Sequence, residues 1–360
     1  MARRPYFDAR LRPRTGFEIV LERSARLALV GIGLTTLAVV LYLAKVVFAP
    51  IALAVVIGLM FGPLATRVER LGIPPAISAS LIVIIFVGII AAFIAAFAVP
   101  LSNWVERLPE IWRRLQAIVR DWQGVISSIG AAQKELRGLT GSDAAMSVKV
   151  EEGGAVESVA ILAPAIVAQF IIFVASLYFY VASRDTFRFA VLRLCINRRL
   201  RWRIAHVFRD VERLVSRYLL SITLVNIGLG AVVALALWSV GVESALLWGV
   251  LAGVLNYVIY VGPAIMVVIL AGVGLAGFDG SAVLLPPAIY LFCNFLEAQF
   301  VTPYVIGRNV TLNPFVVFLS IVFWLWLWGP IGGFVAVPLV LIFYTIFVNI
   351  VPVERTTAGR

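Results

Sequence analysis

"ESALLWGVLAGVLNYVIYVGPAIMVVILAGVGLAGF", residues 243–278, decides the kind of fold this chain can adopt. The run is 36 residues long, and its one charged side chain, Glu243, stands at its start. A helix needs about 20 apolar residues to cross the hydrocarbon of a bilayer, so the run is long for one crossing and short for two. Gly262-Pro263 sits in its middle, with Asn256 one to two turns earlier. Proline removes a helical hydrogen bond and clashes with the preceding turn. The run is therefore a helix broken at mid-depth or a re-entrant hairpin, and such backbone persists only where protein or a water-filled cavity surrounds it.

The remainder of the chain calls for the same solvent. Of 360 residues, 62% are apolar and 14% charged, and the mean hydropathy is +1.02. Soluble domains carry about 25% charged residues, so the surface here must face lipid. The expected fold is all-α: a polytopic helical membrane protein with about eight transmembrane elements, two of them broken or re-entrant. The spans are 27–48, 50–68, 73–99, 156–183, roughly 219–240, 243–278, 281–301 and 313–348. The last is again long, and Gly329-Pro330 interrupts it.

The net charge of +11 is distributed unevenly. Residues 1–26 hold seven basic and three acidic side chains, and 184–217 hold ten and three, whereas 101–157 hold seven and eight. By the positive-inside rule the first two segments are cytoplasmic and the third is not. The expected order is a basic cytoplasmic N-terminus (1–26), three spans within 27–100 and a non-cytoplasmic helix and loop (101–157). A fourth span (158–183), a basic cytoplasmic segment (184–217), four spans within 218–350 and a cytoplasmic tail (351–360) follow. Both termini are then inside, at a bacterial inner membrane. In the basic segment Ile204, Phe208, Val211, Val215 and Tyr218 share one helical face, and Arg203, Arg209, Arg213 and Arg217 lie elsewhere. An amphipathic helix on the anionic inner leaflet follows, so the expected partners are membrane lipids and not nucleic acid. Within 101–157, Leu108, Trp112, Leu115, Val119, Trp122, Ile126 and Ile129 recur at alternating steps of four and three. That period gives a helix with a narrow apolar seam, lying on the membrane or against a sister subunit.

Cys195, Cys293 and the single His206 fit no disulfide framework or metal spacing, so no metal or cofactor is expected. A hydrolase would need a nucleophile–base or paired-acid constellation, and an ATP-driven pump a phosphate-binding loop. The sequence offers neither, which leaves transport or scaffolding as the expected activity.

Candidate site residues are the polar ones inside apolar spans. Tyr290, Asn294 and Glu297, spaced four and three apart, share a face of the seventh span. Glu297 admits two roles. An acid buried in the membrane faces a bundle interior or an aqueous cavity; one close to a helix end sits at the interface, here paired with Arg308 across the turn. Asn226, Asn256 and Gln169 either bond between helices or contact a ligand. The breaks at Gly262-Pro263 and Gly329-Pro330 either expose half-helix ends at a mid-membrane site or are packing kinks. Gly228 and Gly230 permit close helix approach, and Trp324, Trp326 and Trp328 suit an interfacial belt.

Four stretches together resemble the signatures of the autoinducer-2 exporter family. They are residues 47–79, "GVLAGVLNYVIYVGPAI" (249–265), "LEAQFVTPYVIGRNVTLNP" (296–314) and "FLSIVFWLWLWGPIGGFVAVPL" (318–339). The resemblance spans most of the chain and implies an inner-membrane homo-oligomer of about eight helices per subunit. It implies a permease or exporter of small polar solutes, autoinducer-2-like signalling molecules among them, or a sodium/proton antiporter. Carried over, the family's acidic residue is Glu297, followed by Pro303, Gly307 and Arg308. Its Asn-Pro pair is Asn313 and Pro314, and its Gly-Pro is Gly262 and Pro263. The chain departs from the family at Leu220-Ser221-Ile222. It departs again at Ile259, where proline is common, so the sixth element is expected to be less broken.

Overall fold

Lys45–Glu69 illustrates the rule for this chain: a helix carrying Pro50 and Pro63 that nonetheless runs for 25 residues, with side chains of neighbouring helices bonding the carbonyls around Pro63. Ser216 Oγ donates to Met60 O at 3.2 Å, and Arg184 Nη1 to Gly62 O at 2.6 Å. The computed structural model describes residues 16–117, 120, 155–195, 197–306 and 313–350. In chain order the helices are α1 (Gly16–Leu43), α2 (Lys45–Glu69), α3 (Pro75–Glu106), α4 (Ala155–Leu194), α5 (Arg198–Ser239), α6 (Ala245–Leu255) and α7 (Val261–Gly277). After them come α8 (Leu285–Leu296), a π-helical turn (Glu297–Val301), α9 (Thr302–Ile306), α10 (Pro314–Trp328) and α11 (Pro330–Ile350). Seven stretches among the described residues are long and apolar enough to cross a membrane.

Three expected boundaries move. The third span runs on to Glu106 and, after one turn residue at Arg107, resumes over 108–117. The start of the expected surface loop is thus a continuation of α3. The fourth span continues through Arg184 to Leu194. The basic amphipathic segment is not a separate surface helix: α5 takes it and the fifth span into one helix of 42 residues. Asn197 starts that helix, its side chain accepting from Arg199 N. No proline interrupts it, and at 1.5 Å per residue it is about 63 Å long, twice the hydrocarbon thickness.

α2, α4 and α5 pack along one another, and α5 crosses α6 at near backbone contact. A Cβ on Gly249 would lie 2.4 Å from Gly230 O, and one on Gly253 2.7 Å from Asn226 O. Gly228, by contrast, faces open space. Of the expected small-residue pair, Gly230 alone makes the crossing.

The run 243–278 is a hairpin. α6 has 11 residues, about 16 Å, and cannot cross alone. Trp248 and Leu251 of α6 face Val267 and Ala271 of α7 across one cavity, which requires the chain to reverse between them. Tyr260 turns it with φ 67°, and Gly262 closes the turn, since a Cβ there would lie 1.8 Å from Leu255 O. The break is therefore complete despite Ile259.

The run 313–348 is a second hairpin, not one kinked span. Gly329 turns it with φ 62°, Gly332 packs on Trp324 O, and Ser320 Oγ donates to Ala336 O at 3.4 Å. The three tryptophans form no belt: Trp328 is buried and donates from Nε1 to Leu41 O at 3.1 Å, while Trp326 stacks on Tyr42. α8 to α9 carries the chain about 30 Å along the bundle, so the two hairpins open toward opposite ends. Their turns meet inside, where the Tyr257 and Phe334 rings lie 5.1 Å apart. At the open end of the first hairpin, Arg107 pairs with Glu243 at 2.6 Å and Arg114 approaches Asp279 at 3.7 Å.

Candidate functional site at the tip of the first hairpin

The turn of the first hairpin meets α5 and α8 at a common depth. From the end marked by Glu243 and Asp279, α6 runs about 16 Å to Asn256 and α8 about 18 Å to Glu297. Asn226 lies about 20 Å back from Ser239 along α5. All three polar residues thus lie at a similar depth, which is near the middle of a hydrocarbon core about 30 Å thick when that charged end meets the bilayer surface.

The three asparagines form a chain across three helices. Asn294 Nδ2 donates to Asn256 Oδ1 at 3.2 Å, and Asn256 Nδ2 donates to Asn226 Oδ1 at 2.9 Å. The chain then stops. Asn226 is 2% exposed, and its Nδ2 has no partner among the described residues. Neither has the hydroxyl of Tyr290, which is wholly buried on the same face of α8. Leaving a buried donor unpaired costs roughly 1–3 kcal/mol, so each marks a place where an acceptor belongs. One turn away, Tyr257 donates its hydroxyl to Thr223 Oγ1 at 2.7 Å.

Glu297 is 8% exposed and accepts from the Thr302 hydroxyl. The sequence places it one turn from a helix end; in the structure the helical path goes on past it. Pro303 has no N–H and crowds the preceding turn, and the backbone answers with the π-helical turn, in which Thr302 N reaches back to Glu297 O. Such turns recur at functional sites, because they present side chains off the regular helical register. Glu297, Leu224, Gly228 and Phe292 line a groove of about 470 Å³ between α5 and α8.

Of the expected site residues, Tyr290, Asn294, Glu297 and Asn256 come together here, with Gly262 and Pro263 shaping the turn that delivers Asn256. Others stand apart. Pro303 is exposed and acts through the π-helical turn. Asn313 caps α10, accepting from Phe315 N at 2.9 Å, and Pro314 is its first residue. Gly329 and Pro330 form the turn of the second hairpin, against α1. Gly307 and Arg308 lie outside the described residues. Thr223, Tyr257 and Thr302 were not legible in the sequence, since a hydroxyl in a membrane helix ordinarily bonds its own backbone. Thr223 alone carries a signal, its spacing of three from Asn226 on one helical face.

Residues 32–351 match the AI-2E family transporter. The chain is 26% identical over 339 residues to the "Putative transport protein YhhT" of Escherichia coli (strain K12), covering 91% of this chain and 89% of that protein. It is 36% identical over 148 residues to the "AI-2 transport protein TqsA" of the same organism, covering 41% of each.

Proposed function

This chain belongs to the AI-2E transporter family and is a multi-pass membrane transporter, and on that premise we propose that the hairpin-tip cluster is where its solute binds. The supporting observation is the pair of buried, unpartnered donors, Asn226 Nδ2 at the end of the asparagine chain and the Tyr290 hydroxyl on the face of α8 that carries Glu297. Donors that water or protein does not satisfy suit the oxygens of a small polar solute, and the carboxylate suits its hydroxyls or a cation. Broken elements place transporter sites near the bilayer midplane. The solute class is small, polar and oxygen-rich, autoinducer-2-like molecules included, and it leaves through the inner membrane from the basic, cytoplasmic end.

A second role follows from Glu297 itself. It is the deep carboxylate among the described residues of the site, so ion coupling, as in sodium/proton antiport, would run through it. Metabolite efflux compared among cells with the wild-type protein, Glu297→Gln, Asn256→Ala and no protein tests the site. One class of small polar solutes leaves faster with the wild type, and both variants lose that excess. Identical efflux from wild type and variants removes the cluster from the path. In proteoliposomes, a flux in Glu297→Gln that no longer varies with pH or sodium identifies coupling; an unchanged dependence eliminates it.

A further inference from the structure

A second polar cavity lies at the basic end of the bundle, away from the hairpin tips. It measures about 220 Å³ and sits where α2, α4 and α5 meet. Two glycines of α2 open it. A Cβ on Gly58 would lie 2.4 Å from the Tyr180 ring, and one on Gly62 2.6 Å from Glu212 Oε1. These gaps let Tyr180 from α4 and Glu212 from α5 reach across α2.

The charges lining the cavity divide into two sets. Arg184 is committed: it donates to Gly62 O at 2.6 Å and to Glu69 Oε2 at 2.5 Å, and Asp185 stands 4.0 Å away. Arg188, one turn farther along α4, and Glu212, opposite it, are both half-buried. Neither makes a hydrogen bond or ion pair among the described residues, and they do not reach each other. Opposite charges facing one half-buried cavity would pair directly if the space between them were to stay empty, because unpaired charge is costly there. Held apart, they fit a ligand bearing both signs. The remaining walls, Leu59, Phe187, Phe208 and Ile342, are apolar, and Phe187 is exposed at the outside of the bundle.

We propose that this cavity holds the zwitterionic phosphoethanolamine headgroup of an aminophospholipid from the leaflet at the basic end. The phosphate lies on Arg188, which offers a planar fork of donors, and the ammonium on Glu212. The acyl chains run out along Phe187, Phe208 and Ile342. An anionic lipid without an amine satisfies Arg188 and leaves Glu212 facing a like charge. A choline headgroup cannot donate to Glu212.

Native mass spectrometry of the delipidated full-length protein, titrated with phosphatidylethanolamine, phosphatidylglycerol or phosphatidylcholine, tests this. Wild type retains phosphatidylethanolamine in preference to both others. Glu212→Gln lowers that preference by about tenfold, and Arg188→Gln, which loses the phosphate contact common to the three lipids, lowers retention of all of them by about tenfold, each the effect of one lost charge-assisted hydrogen bond. The exchanged pair Arg188→Glu with Glu212→Arg does not restore it, because the chains fix which end of the headgroup meets which side chain; a plain structural ion pair would be restored. Equal retention of the three lipids by wild type, which needs no variant to fold, overturns the proposal, as does unaltered preference in Glu212→Gln or unaltered retention in Arg188→Gln. Soluble glycerophosphoethanolamine is expected to compete weakly. Binding of it as tight as that of the lipid overturns assignment to the membrane and points to a free zwitterion.

Discussion

Asn256, in the turn of the first hairpin, donates to Asn226 of α5 at 2.9 Å and accepts from Asn294 of α8 at 3.2 Å, so one side chain fastens a re-entrant loop to two membrane spans. Asn256→Ala leaves Asn226 Oδ1 and Asn294 Nδ2 without partners. Membrane hydrogen bonds average about 0.6 kcal/mol, but stranded polar groups cost about 1–3 kcal/mol. A stability loss of about 1–3 kcal/mol is expected in detergent unfolding. Solute flux in proteoliposomes should fall about tenfold or more as the tip loses its register.

Glycine substitutions separate turn from groove. In Gly262→Ala the new methyl would stand 1.8 Å from Leu255 O, against backbone that cannot give way. That variant is expected to yield little monodisperse protein by size-exclusion chromatography. Gly228→Ala meets nothing within 4 Å and should leave the melting temperature unchanged.

The two long-range ion pairs should differ in worth. Arg107 and Glu243 are both well exposed, and such pairs contribute about 0–1 kcal/mol. Arg184 and Glu69 are mostly buried, and Arg184→Ala strands Glu69, whose Oε1 already lacks a partner. Breaking a buried pair from one side costs about 3–5 kcal/mol. Thermal unfolding of Arg184→Ala beside Arg107→Ala is expected to show a large shift in the first and almost none in the second.

Trp328→Phe removes the indole donor to Leu41 O while keeping an aromatic ring in place. No residue in the apolar span of α1 is fully buried, so this tie and the Tyr42–Trp326 stack are a large part of its docking. Faster amide exchange confined to the α1–α2 junction is expected. Unchanged exchange there would mean the Tyr42–Trp326 stack suffices.

Much of this architecture is legible in the sequence because lipid makes hydropathy decisive. The spans, the interruptions at Gly262 and Gly329, and the shared face of Tyr290, Asn294 and Glu297 all follow from apolar length and helical phase. Four features do not follow. Whether a Gly-Pro break kinks or reverses a helix depends on contacts far along the chain, such as Ser320 with Ala336. The merging of the basic segment into α5 escapes charge counting, because a helix can leave the membrane without ending. The depth of Glu297 hinges on Pro303 widening a turn where it could have stopped the helix. The meeting of Asn226, Asn256 and Asn294 is tertiary, and sequence spacing across three helices cannot give it.

The most direct test asks whether water reaches the groove beside Glu297. Gly228 opens onto that groove with free space around it, so cysteine fits there. With Cys195 and Cys293 replaced by serine, Gly228→Cys is treated in membranes with a charged, membrane-impermeant thiol reagent, which reacts only with a hydrated thiolate. Modification from the aqueous phase is the expected result, and it is what a hydrated solute path past Asn226 and Glu297 requires. A thiol that stays unmodified from both sides, while a membrane-permeant reagent still labels it, would show a lipid-filled groove and contradict the transport site set out above.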